Sequence, residues 1–240
     1  MERISTGIDS LDAKLSGGYP KGKAILVTGT PGAGKTIFGM HLLHKSCNDG
    51  LKCVLIATEE SPEDILNQAK MIGLDLKPYS DTGQLIIERI LEKRTESTEQ
   101  SSHMGAGFEL AEESILDHVK SIDADTDVVV IDNIGVFALD LGIKEFRDKI
   151  DTINQMLSDK KCTTLFIMDE TAYELTHKLA EYAAYGSIKL MVKENPYTGK
   201  RERYMDIPKM RGTELSLELY TYKITSEGIK FKKSDESELK

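Results

Sequence analysis

The fold of this 240-residue chain is decided by Gly29-Thr30-Pro31-Gly32-Ala33-Gly34-Lys35-Thr36. This stretch fits the pattern G-x-x-x-x-G-K-[ST] at every position, after an apolar run from Ala24 to Thr28 and before a helical pattern from Gly34 to Asn48. Glycines let the backbone N–H groups of such a loop turn toward bound phosphates, and the positive end of the following helix dipole adds to the attraction. The stretch therefore predicts a strand, a phosphate-binding loop and a helix in succession.

The loop also carries the side chains that a nucleoside triphosphate and its magnesium ion require. The ammonium group of Lys35 is expected to neutralise the β- and γ-phosphates, and so to serve catalysis as well as binding. The hydroxyl of Thr36 is expected to ligate Mg²⁺. We therefore predict Mg-ATP as the ligand and residues 29–36 as its binding site.

A second stretch, Val128-Val129-Val130-Ile131-Asp132, supplies the other half of this site. In a parallel sheet, an acidic residue at the carboxyl end of a buried strand faces the crevice where ligands bind. Asp132 is accordingly predicted to hold Mg²⁺ through a water molecule. On its own this pattern is weak, since any strand that ends in aspartate fits it.

Two adjacent carboxylates, Glu59 and Glu60, close another predicted strand. Beside a triphosphate they would repel it and each other, so fold stability alone does not favour them there. A carboxylate in this place can orient or deprotonate the attacking water. We predict that Glu59 and Glu60 serve hydrolysis; the alternative is solvated charge ahead of the helix that begins near Ser61.

Strands and helices alternate along the first two thirds of the chain. Four consecutive apolar runs indicate strands covered on both faces: Ala24–Thr28, Cys53–Ala57, Val128–Ile131 and Thr164–Met168. Helical patterns cover Gly34–Asn48 and Ser61–Ile72, and Ser61 with Pro62 after it predicts a cap and first turn for the second helix. A one-faced stripe predicts a further helix packed on the sheet, with a partner surface as the alternative; its residues are Ile143, Phe146, Ile150, Ile153 and Leu157. This alternation predicts an α/β fold with a mostly parallel central sheet flanked by helices.

The C-terminal third predicts antiparallel strands instead. Ile188–Lys193 and Arg201–Ile207 flank a hairpin loop, and Leu215, Leu217 and Leu219 alternate with polar residues as in a further strand. Residues 92–107 lack periodicity and are expected to form a mobile surface loop, as is the tail 234–240. With no linker or internal repeat, residues 1–240 are predicted to form one domain.

Composition indicates a globular chain in a reducing compartment. The apolar runs are too short to span a membrane, and the first residues lack an apolar signal region. The three cysteines, Cys47, Cys53 and Cys162, contain no CxxC pair and are interpreted as reduced core residues. We therefore expect a cytoplasmic protein without a membrane span.

Charge argues against nucleic acid as the principal partner. The formal net charge is −9, and residues 92–125 hold nine acidic and three basic residues. The stretch 193–211 holds six basic and three acidic residues. A sequence-independent nucleic-acid binder usually has a larger basic surface, although a local patch can suffice in an acidic protein. Binding to nucleic acid is thus disfavoured but stays open.

With these residues placed, nearly the whole chain resembles the KaiC/RadA branch of the RecA-like ATPases. The segments Ile4–Asp12 and Leu15–Gly22 are similar to the lead-in to the loop strand in this branch, and residues 57–62 are similar to the paired-glutamate segment of KaiC domains. Thr163–Leu165 resembles the strand before the sensor region of the family. Residues 209–213 resemble the KaiC segment that reaches the γ-phosphate of the neighbouring subunit.

The resemblance implies a RecA-like P-loop NTPase that forms a ring, a hexamer, with ATP between subunits. It implies that Glu59 and Glu60 serve hydrolysis and that Lys209 and Arg211 act on the nucleotide of the neighbour. The sequence differs from members of the family in three ways, which limits how much of their function it can be expected to share. The sequence has one ATPase domain, whereas clock KaiC has two. Ala183-Ala184 occupies the position of the Ser/Thr pair that is phosphorylated in KaiC. We also expect no N-terminal DNA-binding module of the RadA type.

Three functions fit these observations. The leading one is a slow, Mg-dependent, oligomeric KaiC-like ATPase that signals its nucleotide state to a protein partner. The second is a recombinase paralogue in DNA recombination or repair, which the net charge disfavours. The third is a non-hydrolysing ATP-binding scaffold similar to the archaeal motility regulator FlaH, which Glu59 and Glu60 disfavour.

Overall fold

A computed structural model describes residues 1–90, 115–138, 141–170 and 174–232 of the chain. Within these residues the centre of the fold is a nine-stranded sheet. Its strands are β3 (Ala24–Gly29), β4 (Cys53–Ala57), β5 (Leu85–Arg89), β6 (Val128–Asp132), β7 (Thr163–Asp169), β8 (Gly186–Glu194), β9 (Arg201–Met210), β10 (Tyr220–Thr225) and β11 (Gly228–Phe231). A separate ribbon pairs β1 (Arg3–Ile4) with β2 (Tyr19–Pro20).

The strands lie in the order β11-β10-β9-β8-β3-β7-β6-β4-β5. The six strands from β8 to β5 in this order are parallel, and β9, β10 and β11 extend the sheet in antiparallel pairing. This confirms the mostly parallel sheet with C-terminal antiparallel strands. The carboxyl ends of β3, β4, β6 and β7 consequently meet at one edge, where open α/β sheets bind ligands.

Helices cover both faces of the sheet. They are α1 (Asp9–Lys14), α2 (Lys35–Asn48), α3 (Pro62–Met71), α4 (Lys77–Asp81), α5 (Ile115–Ser121), α6 (Ile143–Asp159) and α7 (Glu174–Ala183), with a 3₁₀ helix at Ile134–Ala138. Alternation along β3 sends Ile25 and Val27 into the core that α2 completes and Leu26 into the core that α6 completes. The sheet is thus buried on both sides, as the apolar runs predict.

Two helices show how closely local pattern and structure agree. The hydroxyl of Ser61 accepts a hydrogen bond from the N–H of Asp64 at 3.1 Å, and Pro62 opens α3, as the sequence predicts. On α6 the stripe residues Phe146, Ile150, Ile153 and Leu157 are buried, whereas Ile143 is exposed at the first turn. The stripe therefore packs on the sheet rather than on a partner.

The C-terminal strands agree with the prediction in part. The predicted hairpin is present, and β8 pairs with β9 from Gly186↔Met210 to Glu194↔Arg201. The predicted strand through Leu215, Leu217 and Leu219 is wrong, because this segment is unpaired, Leu217 is 97% exposed, and β10 begins only at Tyr220. This segment would have to pair with the part of β9 that follows Met205. There the register of β9 with β8 is irregular, and Pro208 has no N–H to donate to a neighbouring strand.

The predicted mobile loop and the predicted mobile tail lie outside the residues that the structure describes. The loop 92–107 lies within residues 91–114, and the tail 234–240 lies within residues 233–240. Among the helices that the structure does describe, none has the length and apolar character needed to cross a membrane.

His41 on α2 ties distant parts of the chain to the helix that follows the phosphate loop. Its Nε2 accepts a hydrogen bond from the N–H of Ile229 on β11 at 2.8 Å, and its Nδ1 lies 3.1 Å from the carbonyl oxygen of Gly7. A carbonyl only accepts, so Nδ1 carries the proton and the ring is neutral. Gly228, with φ of +79°, leaves room for the ring. Burial lowers the pKa of His41 to about 4.

We expect this histidine to make the fold sensitive to acid. Because the fold favours neutral His41, its contribution is complete above the ordinary pKa of 6.5 and declines as the pH falls toward about 4. The folded state should lose about 3 kcal/mol through this group over that interval. Urea unfolding at a series of pH values should show a flatter pH dependence for His41→Asn than for the wild type. Equal slopes for wild type and His41→Asn would contradict the assignment.

Candidate functional site

The phosphate loop joins β3 to α2 in the predicted order. Gly29 ends β3 so close to β8 that a Cβ there would lie 2.2 Å from the carbonyl oxygen of Leu190. Gly34 has a φ of +97°, which glycine tolerates and other residues avoid. No hydrogen bond within the described part of the chain uses the N–H groups of Gly34, Lys35 or Thr36. These donors at the start of a 14-residue helix are free to bind an anion.

Lys35 turns its ammonium group back over this loop. Its side chain is only 9% exposed, and Nζ donates to the carbonyl oxygens of Gly29 at 3.0 Å and Thr30 at 3.3 Å. Nζ also forms an ion pair with the carboxylate of Asp169 at the end of β7. A buried cation needs such a partner, so Asp169 balances the Lys35 charge in this structure.

Thr36 and Asp132 lie together, as the two separate sequence patterns predict. The hydroxyl of Thr36 donates to Oδ2 of Asp132 at 2.7 Å. Burial, with the negative charges of Glu59 and Glu60 nearby, raises the pKa of Asp132 to about 6, while the hydrogen bond from Thr36 acts in the opposite direction. A hydroxyl and a carboxylate are oxygen ligands of the kind that Mg²⁺ takes, so these two residues fit such an ion.

Glu59 and Glu60 follow β4 and face the same place. Together with Thr36 and Asp132 they line a small cavity at the carboxyl edge of the sheet. Oε2 of Glu60 accepts a hydrogen bond from Nε2 of Gln68 on α3, whereas the carboxylate of Glu59 is exposed. The structure therefore brings Lys35, Thr36, Asp132 and both glutamates to one edge.

Asn133 links the strand ends around the loop. Its Nδ2 donates to Oδ2 of Asp169 at 2.9 Å, and its N–H donates to the hydroxyl of Thr58 at 2.9 Å. Its own Oδ1 accepts from the N–H of Gly135 at 2.7 Å. Residues directly after β4 and β6 and the last residue of β7 thus form one hydrogen-bonded network beside Lys35.

Lys209 and Arg211 lie elsewhere. Met210, the last residue of β9, pairs with Gly186 on β8, and Gly186 pairs with Ile25 on β3. Ile25 lies four residues before Gly29, where the phosphate loop begins. At about 3.3 Å per residue, this places the end of β9 roughly 13 Å from the loop along the strands, at the opposite edge of the sheet. The structure does not bring these residues to the phosphate loop of their own chain.

At that opposite edge the two cations differ in their surroundings. Nζ of Lys209 donates to the carbonyl oxygens of Glu181 at 2.8 Å and Ala184 at 2.7 Å, and so caps the end of α7. Burial lowers the pKa of Lys209. Arg211 is exposed, with its guanidinium carbon 5.9 Å from the centre of the Tyr185 ring. Arg211 is therefore the cation available to a second molecule.

From the sequence, Asp169 has two equal interpretations, contact with the site or surface charge, whereas Arg203 and Tyr222 have no assigned role at the loop. Asp169 ends a buried parallel strand beside β3, and the rule that singled out Asp132 applies equally to it. Arg203 and Tyr222 also contact the loop, through the carbonyl oxygens of Gly32 and Ala33. No pattern marks them, because their position depends on the antiparallel pairing of β9 and β10 with the rest of the sheet.

Comparison with known proteins gives one consistent picture. Residues 4–236 match the protein family described as "ATPase: KaiC". A UPF0273 protein of Methanopyrus kandleri is 28% identical over 234 residues, which cover 96% of this chain and 92% of that protein. The circadian clock oscillator protein KaiC of Parathermosynechococcus lividus is 26% identical over 239 residues, covering 97% of this chain and 41% of the longer KaiC.

A solved structure agrees. The crystal structure of a KaiC-like protein from the hyperthermophilic archaeon Pyrococcus horikoshii OT3 is similar with a TM-score of 0.76 at 27% identity, over 96% of this chain and 99% of that one. The family match spans almost the whole chain, and the phosphate loop, the mostly parallel sheet and the antiparallel extension all lie inside it. The chain has a RecA-like fold and belongs to the KaiC family of ATPases.

Proposed function

We propose that this chain binds Mg-ATP on residues 29–36, hydrolyses it slowly as an oligomer, and passes its nucleotide state to a protein partner. The observation that carries the proposal is the meeting of Lys35, Thr36, Asp132, Glu59 and Glu60 at one sheet edge, beside free N–H donors. Three buried, unpaired cysteines are consistent with a cytoplasmic setting.

Binding begins with an exchange of partners at Lys35. The triphosphate takes the N–H groups of Gly34, Lys35 and Thr36, and its β- and γ-oxygens take the ammonium group that Asp169 occupies in this structure. Thr36 and Asp132 hold Mg²⁺, which neutralises charge on the phosphates. The carboxylate of Asp169 is left beside Asn133, which already donates to it.

Hydrolysis requires a water molecule aligned with the γ-phosphorus. The water oxygen bonds to phosphorus, the bond to the leaving oxygen of ADP breaks, and the water proton passes to a carboxylate. We propose Glu59 and Glu60 as the acceptors, a role supported by their position in the lining of the cavity that Thr36 and Asp132 share. Their carboxylates act on water and not on ground-state phosphate, so replacing them should affect the chemical step more than binding.

Replacing both glutamates should therefore separate binding from turnover. We expect Glu59→Gln/Glu60→Gln to keep the Mg-ATP affinity of the wild type within a few-fold and to lose about 10²–10⁴ in turnover. Phosphate release and calorimetry on the same preparations measure the two quantities. Glu63→Gln, an exposed glutamate on α3, is the matched control. A loss below about tenfold would assign Glu59 and Glu60 to surface charge.

The position of Arg211 supports the proposed assembly. A cation at the γ-phosphate stabilises the charge that develops during transfer. We propose that Arg211 supplies this cation to the nucleotide of a second copy of the chain, a role supported by its exposure and by its position at the opposite end of the strands from its own loop. The family resemblance implies a hexameric ring with this arrangement. Lys209, which caps α7, supports the segment that carries Arg211.

A mixing experiment tests the shared site. Arg211→Ala and Glu59→Gln/Glu60→Gln should each be nearly inactive, since an arginine finger contributes roughly 10³–10⁵ in rate. Mixing them should restore part of the turnover, because some interfaces then join intact glutamates to an intact Arg211. Arg147→Ala, an exposed arginine on α6, is the control.

The mixing experiment needs sedimentation alongside it. Mg-ATP should favour the oligomer, because it binds across two chains. A chain that stays monomeric at saturating Mg-ATP would rule out the shared site. So would variants that exchange subunits without recovering turnover at any ratio.

One observation favours a nucleic-acid role as the second candidate. The tip of the β8–β9 hairpin exposes Tyr197 with Lys193, Lys200 and Arg201, an aromatic ring among cations of the kind that single strands bind. The net charge of −9 weighs against it. Turnover stimulated by single-stranded DNA would place this candidate first; unchanged turnover leaves the protein partner as the recipient of the signal.

A further inference from the structure

The phosphate loop is held from its outer side by the antiparallel extension of the sheet. The hydroxyl of Tyr222 on β10 donates to the carbonyl oxygen of Ala33 at 2.7 Å. Nε of Arg203 on β9 donates to the carbonyl oxygen of Gly32 at 3.2 Å. These are two consecutive carbonyls of the loop, each bound by a side chain from outside the P-loop motif.

A carbonyl held in this way fixes the direction of an N–H group. The peptide unit is planar and trans, so its C=O and N–H point in opposite directions. The C=O of Ala33 and the N–H of Gly34 belong to the same unit. When Tyr222 holds the Ala33 carbonyl on the outer side, the Gly34 N–H faces inward, where it has no partner in the described part of the chain.

Tyr222 is suited to this task because it is rigidly placed. The residue is 1% exposed, and its ring lies 6.3 Å from that of Phe38 on α2, nearly edge-on at 84°. Burial raises the pKa of Tyr222, so the hydroxyl keeps its proton and remains a donor. A buried hydroxyl without a partner is costly, which makes the bond to Ala33 the favoured arrangement.

Two further contacts close the loop from the same side. The side chain of Ile224, on the same strand as Tyr222, comes so close to Gly34 that a Cβ on that glycine would lie 2.7 Å from Cδ1. The N–H of Val192 on β8 donates to the hydroxyl of Thr30 at 3.2 Å. Residues 30, 32, 33 and 34 of the loop are therefore each contacted by β8, β9 or β10.

We propose that Tyr222, assisted by Arg203, is a positioning residue that holds the phosphate loop in the shape that binds ATP. The antiparallel strands β9 and β10 then form part of the nucleotide site, in addition to extending the sheet. Tyr222 acts through the peptide between Ala33 and Gly34 and has no contact with the phosphates. The proposal rests on the proposed function in one respect, that residues 29–36 take Mg-ATP.

The variant Tyr222→Phe removes the hydroxyl and keeps the ring. We expect Mg-ATP to bind about tenfold more weakly, since one hydrogen bond to a loop carbonyl is lost. KM should rise by a similar factor with kcat changed less, because the N–H donors bind the ground state and the transition state alike. Tyr220→Phe is the matched control, two residues earlier on the same strand, where the ring packs on Lys14 and Phe231.

Arg203 provides a second test in a partly exposed residue. Arg203→Lys can still donate to the Gly32 carbonyl and should keep more affinity than Arg203→Leu. Thermal unfolding of each variant shows whether it is folded at the temperature of the titration. Unchanged affinity in both Tyr222→Phe and Arg203→Leu would overturn the inference, even with a lowered unfolding midpoint. A wild-type chain that binds no Mg-ATP would instead overturn the proposed function, and this inference with it.

Discussion

The buried ammonium group of Lys35 is the constraint on which the rest of the site depends. A charge that is 9% exposed must have partners, and the fold supplies two loop carbonyls and the carboxylate of Asp169. Asp169 is in turn held by Asn133, which also binds Thr58. One cation therefore organises the strand ends around the loop, and in the proposed function a triphosphate replaces Asp169 as its counter-charge.

The long strand β9 connects this site to the opposite edge of the sheet. Arg203, near the start of β9, donates a hydrogen bond to the carbonyl oxygen of Gly32 in the loop. Arg211, the residue after the end of β9, is exposed. The eight residue steps from Arg203 to Arg211 span about 26 Å in an extended chain. In the proposed assembly one strand thus contacts the loop of its own chain and the nucleotide of the next, so neighbouring sites share a structural element.

Motifs and periodicity in the sequence predicted those features of the structure that depend on neighbouring residues in the chain. The phosphate loop, Asp132, the cap at Ser61 and the parallel strands follow from motif, strand end and periodicity, and the structure brings Lys35, Thr36 and Asp132 together as expected. The nucleotide and metal roles of Lys35, Thr36 and Asp132 stay predictions, as do the roles of Glu59, Glu60, Lys209 and Arg211. The strand through Leu217 was wrong, and Arg203 and Tyr222 were missed, because both depend on how β9 and β10 pair across the sheet.

The most direct test of this account is a calorimetric titration of Mg-ATP into two variants at the ends of one ion pair. Lys35→Ala should lose tight binding, because the Lys35 ammonium group turns back over the loop, whereas the guanidinium group of Arg203 is bonded to the outer side through the Gly32 carbonyl. Asp169→Asn should bind more tightly than the wild type, because it removes the competitor for Lys35 and keeps an acceptor for Asn133. Lys35→Ala with wild-type affinity, or Asp169→Asn with weakened affinity in a folded chain, would contradict the account.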